Sequence, residues 1–425
     1  MAATIGITNA PRIFKKKIEK FGVIQQASQL LYYALGQACS RHPEHQAHFS
    51  LQPKYDLSNG LSSPAVRFSI GYTHRVLGGC RNESQDNIVW FFVKSIMNHA
   101  NLGDNGKSSL ILNDLTKTLK RQNENAFPQS TSKCRRKSIQ FCTPTEPPTS
   151  SKGLAASNSL PLPNSVLDQA LPDLCMRRNF CNQIQQYCHQ SSDCCIGLLA
   201  KTNNCQHLVY SVAQRDGQSS DSTSSLISFI CDRVRTSGLS IFERLHIAKL
   251  LAMTVLQFHA TPWLKESWRS KDILMLNINP SPTVKVSLTN NLHLNVSVKG
   301  PNSVISTATT SSSRTIEPNP LLFGLGVIFL ELAYKAPLRS KLLPIDLTDG
   351  REDCYTEFHM AKRLSKFGST DMGLNYNNIV RKCLSCDLGH GDDLNHPELQ
   401  AAFYRDVICE LGSLEESLEK LGLGD

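Results

Sequence analysis

Two segments of this chain are apolar on more than one face, and they constrain the fold more than any motif does. Across 240–258, Phe242, Leu245, Ile247, Leu251 and Leu256 spread around a helix instead of keeping to one stripe, and 321–332 does the same with Leu321, Phe323, Leu325, Ile328 and Leu330. A helix that is apolar all round must be surrounded, so both belong inside a helical layer with further helices packed around them. The periodicity of 12–38 supplies one such helix, with Ile18, Phe21 and Leu31 on its apolar side, and 225–234, 378–386 and 398–411 supply others.

Strand signals are interleaved with these helices. Alternating or β-branched runs at 65–72, 87–93, 194–199, 206–212, 273–276 and 284–286 read as strands, and the pair 194–199 and 206–212 as a hairpin around Thr202, Asn203 and Asn204. Strands followed by helices within one module predict an α+β fold, with a helical C-terminal lobe and a small strand-containing N-terminal region. Two stretches interrupt it. Residues 101–163 turn to Ser, Thr, Asn, Pro and Lys, relieved only by a short helical pattern at 110–121, and 303–319 is dominated by Ser and Thr. The expected organisation is therefore a helix-and-strand region over 1–100, a low-complexity linker over 101–165 and the main domain over 172–425.

Lys and Arg exceed Asp and Glu by 45 to 36, a formal charge of +9. The basic residues cluster only at Lys15–Lys17 and between Lys133 and Lys137, which is too thin a footprint for a nucleic-acid interface. The cluster before Ser138 reads as solvated loop charge, with a phosphorylation site or a nuclear address as the sharper alternatives. No run reaches the ~20 apolar residues a bilayer span needs, because the longest is interrupted by Gly324, Gly326 and Glu331. The N-terminus lacks a basic segment followed by an apolar one. An intracellular protein, cytoplasmic or nuclear, is expected, with its 15 cysteines mostly reduced and its partner an unidentified protein.

The order of elements resembles the protein-kinase fold. Gln206–Tyr210 is similar to the strand entering the kinase hinge, Arg244–Ala248 through His259 to the long helix before the catalytic loop, Lys271–Leu276 to the segment closing that loop, and Phe323–Leu332 to the buried large-lobe helix. Phosphoryl transfer needs a carboxylate to orient the hydroxyl, side chains that hold magnesium and a lysine on the phosphates. Carried onto this chain, the catalytic aspartate falls on Ser267, the preceding histidine and arginine on Lys265 and Glu266, and the metal-binding asparagine on Asp272. Where the metal-binding Asp-Phe-Gly should follow 284–287, the chain reads Leu288-Thr289-Asn290. Gly60, Gly71, Gly78 and Gly79 are wrongly spaced for a phosphate-covering loop, and no strand lysine stands out. Asp272 reads either as the cap of a following element or, with Lys285 or Lys271, as a nucleotide contact.

A more specific likeness is carried by Leu31-Tyr32-Tyr33-Ala34-Leu35, Cys195-Ile196-Gly197-Leu198-Leu199, His259-Ala260-Thr261-Pro262-Trp263-Leu264, Asn319-Pro320-Leu321-Leu322-Phe323-Gly324 and Cys383-Leu384-Ser385-Cys386-Asp387. Together these resemble the fungal domain of unknown function 7580 over about 25–411. The resemblance implies a degenerate kinase-like domain without catalytic residues or cofactor. Some relatives accompany HeLo-type domains of fungal incompatibility, although no separate HeLo bundle is visible here. The function this implies is a non-catalytic pseudokinase-like regulatory or scaffolding protein. The alternatives are a nucleotide-binding enzyme with altered phosphotransfer chemistry and an incompatibility-type interaction protein.

Three other constellations bear on chemistry. Cys383-x-x-Cys386 offers one half of a zinc site, with Cys175, Cys181, Cys188, Cys194, Cys195, Cys205, His189 and His207 as partners; the plainer reading makes Cys383 a small apolar residue on a helix face. His246 and His259 on the buried helix read as satisfied core histidines. Trp263 and Trp268 flank the degenerate loop and are expected to fill it as core.

Overall fold

The computed structural model describes residues 10–39, 42, 44–56, 63–74, 88–97, 171–176, 179–187, 194–202, 204–212, 222–232, 239–277, 291–300, 317–367 and 371–422. The chain divides into two units, Met1–His99 with Leu171–Asp425 and Ala100–Ala170, and all described residues lie in the first. The expected linker over 101–165, its short helix at 110–121, the basic cluster at 133–137 and the strand at 284–286 lie outside the described residues.

Nine strands build one antiparallel sheet: β1 (Glu44–Ser50), β2 (Lys54–Asp56), β3 (Ala65–His74), β4 (Val89–Met97), β5 (Cys195–Lys201), β6 (Cys205–Ser211), β7 (Ser222–Ser225), β8 (Ile273–Asn277) and β9 (Leu292–Lys299). Their spatial order is β5-β6-β4-β3-β1-β9-β8-β7, with β2 paired to β3 off this path. The register follows the apolar alternation. Ala47 and Phe49 of β1 face Val296 and Leu294 of β9, and Phe68 and Ile70 of β3 face Val93 and Phe91 of β4, so one side of the sheet is a continuous apolar surface.

Helix α1 (Ala10–Ala38) covers that surface with Ile24, Ala27, Leu31 and Leu35, and the short α2 (Phe180–Tyr187) adds Phe180 and Ile184. Helix α3 (Leu226–Cys231) follows β7, shorter than the 225–234 read from sequence, because Ser225 belongs to the sheet and Asp232 turns to extended backbone. Helix α4 (Ile241–Phe258) begins at a capping box of Ser240 and Glu243: the Glu243 amide donates to Ser240 Oγ (3.1 Å), and the Ser240 amide to Glu243 Oε2 (2.8 Å).

The second all-round apolar segment is α5 (Pro320–Tyr334), buried along almost its whole length. Against it pack α6 (Thr356–Phe367) and α7 (Gly373–Ser385), while α8 (Pro397–Phe403) leads through a π-helical turn, Tyr404–Cys409, into α9 (Glu410–Lys420), which packs on α4. Two glycines admit the close packing that α5 needs. A Cβ on Gly324 would meet the Trp268 carbonyl at 2.7 Å, and one on Gly326 would meet Leu384 Cδ2 at 2.7 Å. Arg244, fully buried on α4, donates to the Leu332 and Ala333 carbonyls (3.3 and 3.4 Å) that α5 leaves open at its C-terminal end. No helix among the described residues is long and apolar enough to cross a membrane.

Candidate functional site

The site that the sequence singles out runs from His259 to β9, where the strand sheet and the helical layer meet. Helix α4 ends at Phe258, and the chain turns through Thr261, whose hydroxyl donates to the Phe258 carbonyl (2.8 Å). Trp263 and Trp268, each 1% exposed, then insert into the interior, as expected. The Trp263 ring stacks on Phe49 of β1, with centroids 4.0 Å apart, and meets Tyr32 of α1 edge-on at 5.2 Å. Its Nε1 donates to the Ser28 carbonyl of α1 (2.7 Å), while Trp268 Nε1 donates to the Leu321 carbonyl of α5 (3.0 Å). One tryptophan thus ties the loop to α1 and the sheet, and the other ties it to α5.

The polar positions between and after them are occupied locally. Lys265, Glu266 and Ser267 are exposed, so the position expected of a catalytic aspartate faces solvent as a serine. Asp272 turns back on its own loop: its Oδ2 accepts the Arg269 amide (2.9 Å) at the start of a 3-10 turn, Ser270–Asp272. It closes the turn to which it belongs, whereas the plainer of its two readings has it cap the element that follows. Arg269 spans outward with a bidentate pair to Glu357 of α6 (3.0 and 2.7 Å). Ser270 Oγ donates to the buried Glu331 Oε2 (2.5 Å), and the Leu338 amide donates to Glu331 Oε1 (3.0 Å). Burial raises the Glu331 carboxyl above the ordinary carboxylate range despite these donors. Lys271 is exposed, and Lys285 and Leu288 lie outside the described residues.

The space beyond this loop is closed by strand pairing. β9 forms seven registered pairs with β1, from Glu44 opposite Lys299 to Ser50 opposite His293, and pairs on its other side with β8. The seam between the strands before residue 100 and those after 270 is therefore a continuous hydrogen-bonded ladder. Its polar face carries His48 and, opposite it, Asn295; His48 Nδ1 and Asn295 Oδ1 are buried without a hydrogen-bond partner. Burial lowers His48 to about 4, and burial together with the nearby His48 lowers His293 to about 4. Helix α1 reinforces the seam: Tyr32 Oη donates to the Ser297 carbonyl of β9 (2.9 Å), and Gly36 approaches so closely that a Cβ there would meet the Lys299 carbonyl at 2.9 Å.

The cysteine pair and the two histidines fall differently. Cys383 is fully buried on the core face of α7, and burial pushes its thiol well up. Cys386 is the left-handed C-cap of the same helix, with φ 52°, and burial raises its thiol to about 11. Among the described residues no third thiol, imidazole or carboxylate joins them as a ligand group. Cys205 and His207 are core, with His207 Nδ1 on Ser95 Oγ (2.8 Å) and its pKa lowered by burial to about 3; Cys188 and His189 lie outside the described residues. His246 corrects its expectation: it is half-exposed and pairs through Nδ1 with Glu415 Oε1 of α9 (3.0 Å), because it lies on the edge of α4 that α9 only partly covers. His259 is half-buried, with Nδ1 3.4 Å from Gln25 Nε2 of α1.

One convergence was not assembled from the sequence. Cys39 at the end of α1, His42, His45 at the start of β1 and Cys181 in the first turn of α2 each bring one ligand atom to within 4.8 Å of the others. Its local signal is the Cys39-x2-His42-x2-His45 spacing, but Cys181 lies 142 residues further on.

An α+β protein with one antiparallel sheet continued across its two halves, and with a loop sealed by two tryptophans, is the class these features define. The chain belongs to the family described as domain of unknown function (DUF7580), which matches residues 159–416. No curated protein matches it.

Proposed function

We propose that this chain is a kinase-like protein that has given up phosphotransfer and works as a regulatory or scaffolding module. The element order supports the likeness: a β5–β6 hairpin, a short helix, the buried α4, a loop leading to β8, and the buried α5 with α6 and α7 around it. The observation that carries the non-catalytic reading is the ladder between β1 and β9. Phosphotransfer needs a nucleotide and its magnesium ions held at the metal-binding triplet. Here the stretch after that triplet's expected place is β9, hydrogen-bonded along β1, while Phe49 and Trp263 stack beneath the joint.

Two further observations support the same reading. Asp272, which stands at the position of the metal-binding asparagine, is engaged with the Arg269 amide of its own turn. The strand that would carry the phosphate-binding lysine holds Lys94 on the face opposite α2, as the neighbouring Phe91 packs on Phe180, and α2 contains no acidic residue with which such a lysine could pair. Calorimetric titration of the full chain with ATP and magnesium tests the proposal. No heat and no rise in melting temperature are expected; saturable binding with a matching stabilisation, or γ-phosphate transfer abolished by Asp272→Ala, would sink it.

A further inference from the structure

The thiol–imidazole cluster lies on the apolar side of the sheet, at the junction of α1, β1 and α2. Cys181 Sγ is 3.3 Å from Cys39 Sγ and 2.8 Å from His45 Nε2, and His42 Nδ1 is 3.5 Å from each sulfur. Tetrahedral zinc with its usual bond lengths requires ligand atoms roughly 3.3–3.8 Å apart. Of the six distances among four ligand atoms, these three of 3.3–3.5 Å fall in that range, the 2.8 Å one is a hydrogen-bond contact that a bound ion would lengthen, and the remaining two lie within 4.8 Å.

Three of the four ligands are held by the backbone structure around them. Cys39 follows the last residue of α1 and pairs with Asn179 in an isolated bridge, His45 is fixed by its register with His74 and Val298, and Cys181 is the second residue of α2. The ring of His45 stacks on Tyr72, with centroids 4.7 Å apart, and Tyr72 in turn meets Phe91 and Phe180 edge-on. Three of the four ligand residues are buried and the fourth half-buried.

Charge decides what such a place can hold. Two thiolates in an apolar shell would be costly alone, whereas two thiolates and two neutral imidazoles around one divalent zinc sum to zero. The ligand set also selects among ions: soft sulfur with imidazole suits zinc, and no carboxylate is present to favour magnesium or calcium. We infer that Cys39, His42, His45 and Cys181 form a structural zinc site that fastens α2 to the α1–β1 junction. All four positions are filled by protein, so the ion has no open coordination site and no catalytic part. The inference stands independently of the kinase-like reading.

The experiment uses the full chain, purified through a tag without histidines after expression with zinc. Elemental analysis is expected to give one zinc per chain, unchanged in the control Cys354→Ser, whose side chain is exposed, and lost to background in Cys39→Ser and Cys181→Ser. Because those variants can fail to fold, X-ray absorption of the wild-type protein gives a second reading: two sulfurs at about 2.3 Å and two nitrogens at about 2.0 Å are expected. Cobalt exchanged into the same site should show a tetrahedral spectrum with thiolate charge transfer. Zinc well below one per chain, a shell of another composition, or a Cys39–Cys181 disulfide in the peptide map would each overturn the assignment.

Discussion

Trp263 concentrates at one side chain what holds the molecule's two halves together: the stack on Phe49, the edge contact with Tyr32 and the hydrogen bond to Ser28. Its truncation removes packing on three elements and leaves the Ser28 carbonyl open, so Trp263→Ala should cost about 3–5 kcal/mol, read from urea denaturation. A loss under ~1 kcal/mol would show that the joint is loose. Two glycines offer a sharper test, because sequence alone predicts the same sign for both. In a helix interior Gly→Ala normally gains about 1 kcal/mol. Gly22→Ala on α1 has nothing within 4 Å of its new methyl and should show that gain. Gly324→Ala drives its methyl into the Trp268 carbonyl and should instead lose about 1–3 kcal/mol. The two signs were not legible in the sequence, where both glycines simply lie within helical patterns; only the packing of α5 on the tryptophan loop separates them.

At the scale of elements, the seam between β1 and β9 carries a pH dependence. His48 and His293 are held near 4 against an ordinary 6.5, so between those limits the unfolded chain binds more protons than the folded one. Stability is therefore complete above pH 6.5 and is lost as the pH falls toward 4, by up to about 1.4 kcal/mol per pH unit for each histidine. Most carboxylates contribute below about 4.5, and Glu331, raised by burial, opposes the trend as it protonates, so the imidazoles, with His207 adding in the same direction, set the net slope from 6.5 to 5. Denaturation at pH 7, 6 and 5 should give that slope, and His293→Gln should flatten it; a slope unchanged by the substitution would remove the seam from the account. These two strands are also where the sequence was hardest to read. The long helices and the β5–β6 hairpin announce themselves, since their periodicity runs unbroken. β9 does alternate, as Leu292, Leu294, Val296 and Val298, but it lies where a kinase-like reading expects an extended loop. β1 hides its alternation behind His45 and Ala47, whose apolar setting comes only from the neighbouring strands.

For the whole molecule, the decisive relation is between residues far apart in sequence: β4 ends at Met97, α2 starts at Phe180, and the cluster joins Cys39 to Cys181 across the interval. No local pattern could have joined Cys181 to a spacing 142 residues earlier, which is why the sequence offered it only as a loose partner for Cys383. The same relation predicts the response to shortening the chain. Residues 100–170 form a unit of their own, and every strand and helix described above lies in the other unit. Replacing 101–169 by a flexible Gly/Ser linker about ten residues long should therefore leave one cooperative melting transition. The entropy of closing a loop grows only as the logarithm of its length, about 0.6 kcal/mol for each doubling, so this roughly seven-fold shortening, nearly three halvings, should raise stability by about 1.7 kcal/mol. If instead the variant melts in two steps, or fails to fold while its α1, α2 and sheet residues are intact, then the excised segment supplies part of the core and the joint at β1 and β9 does not hold the protein by itself.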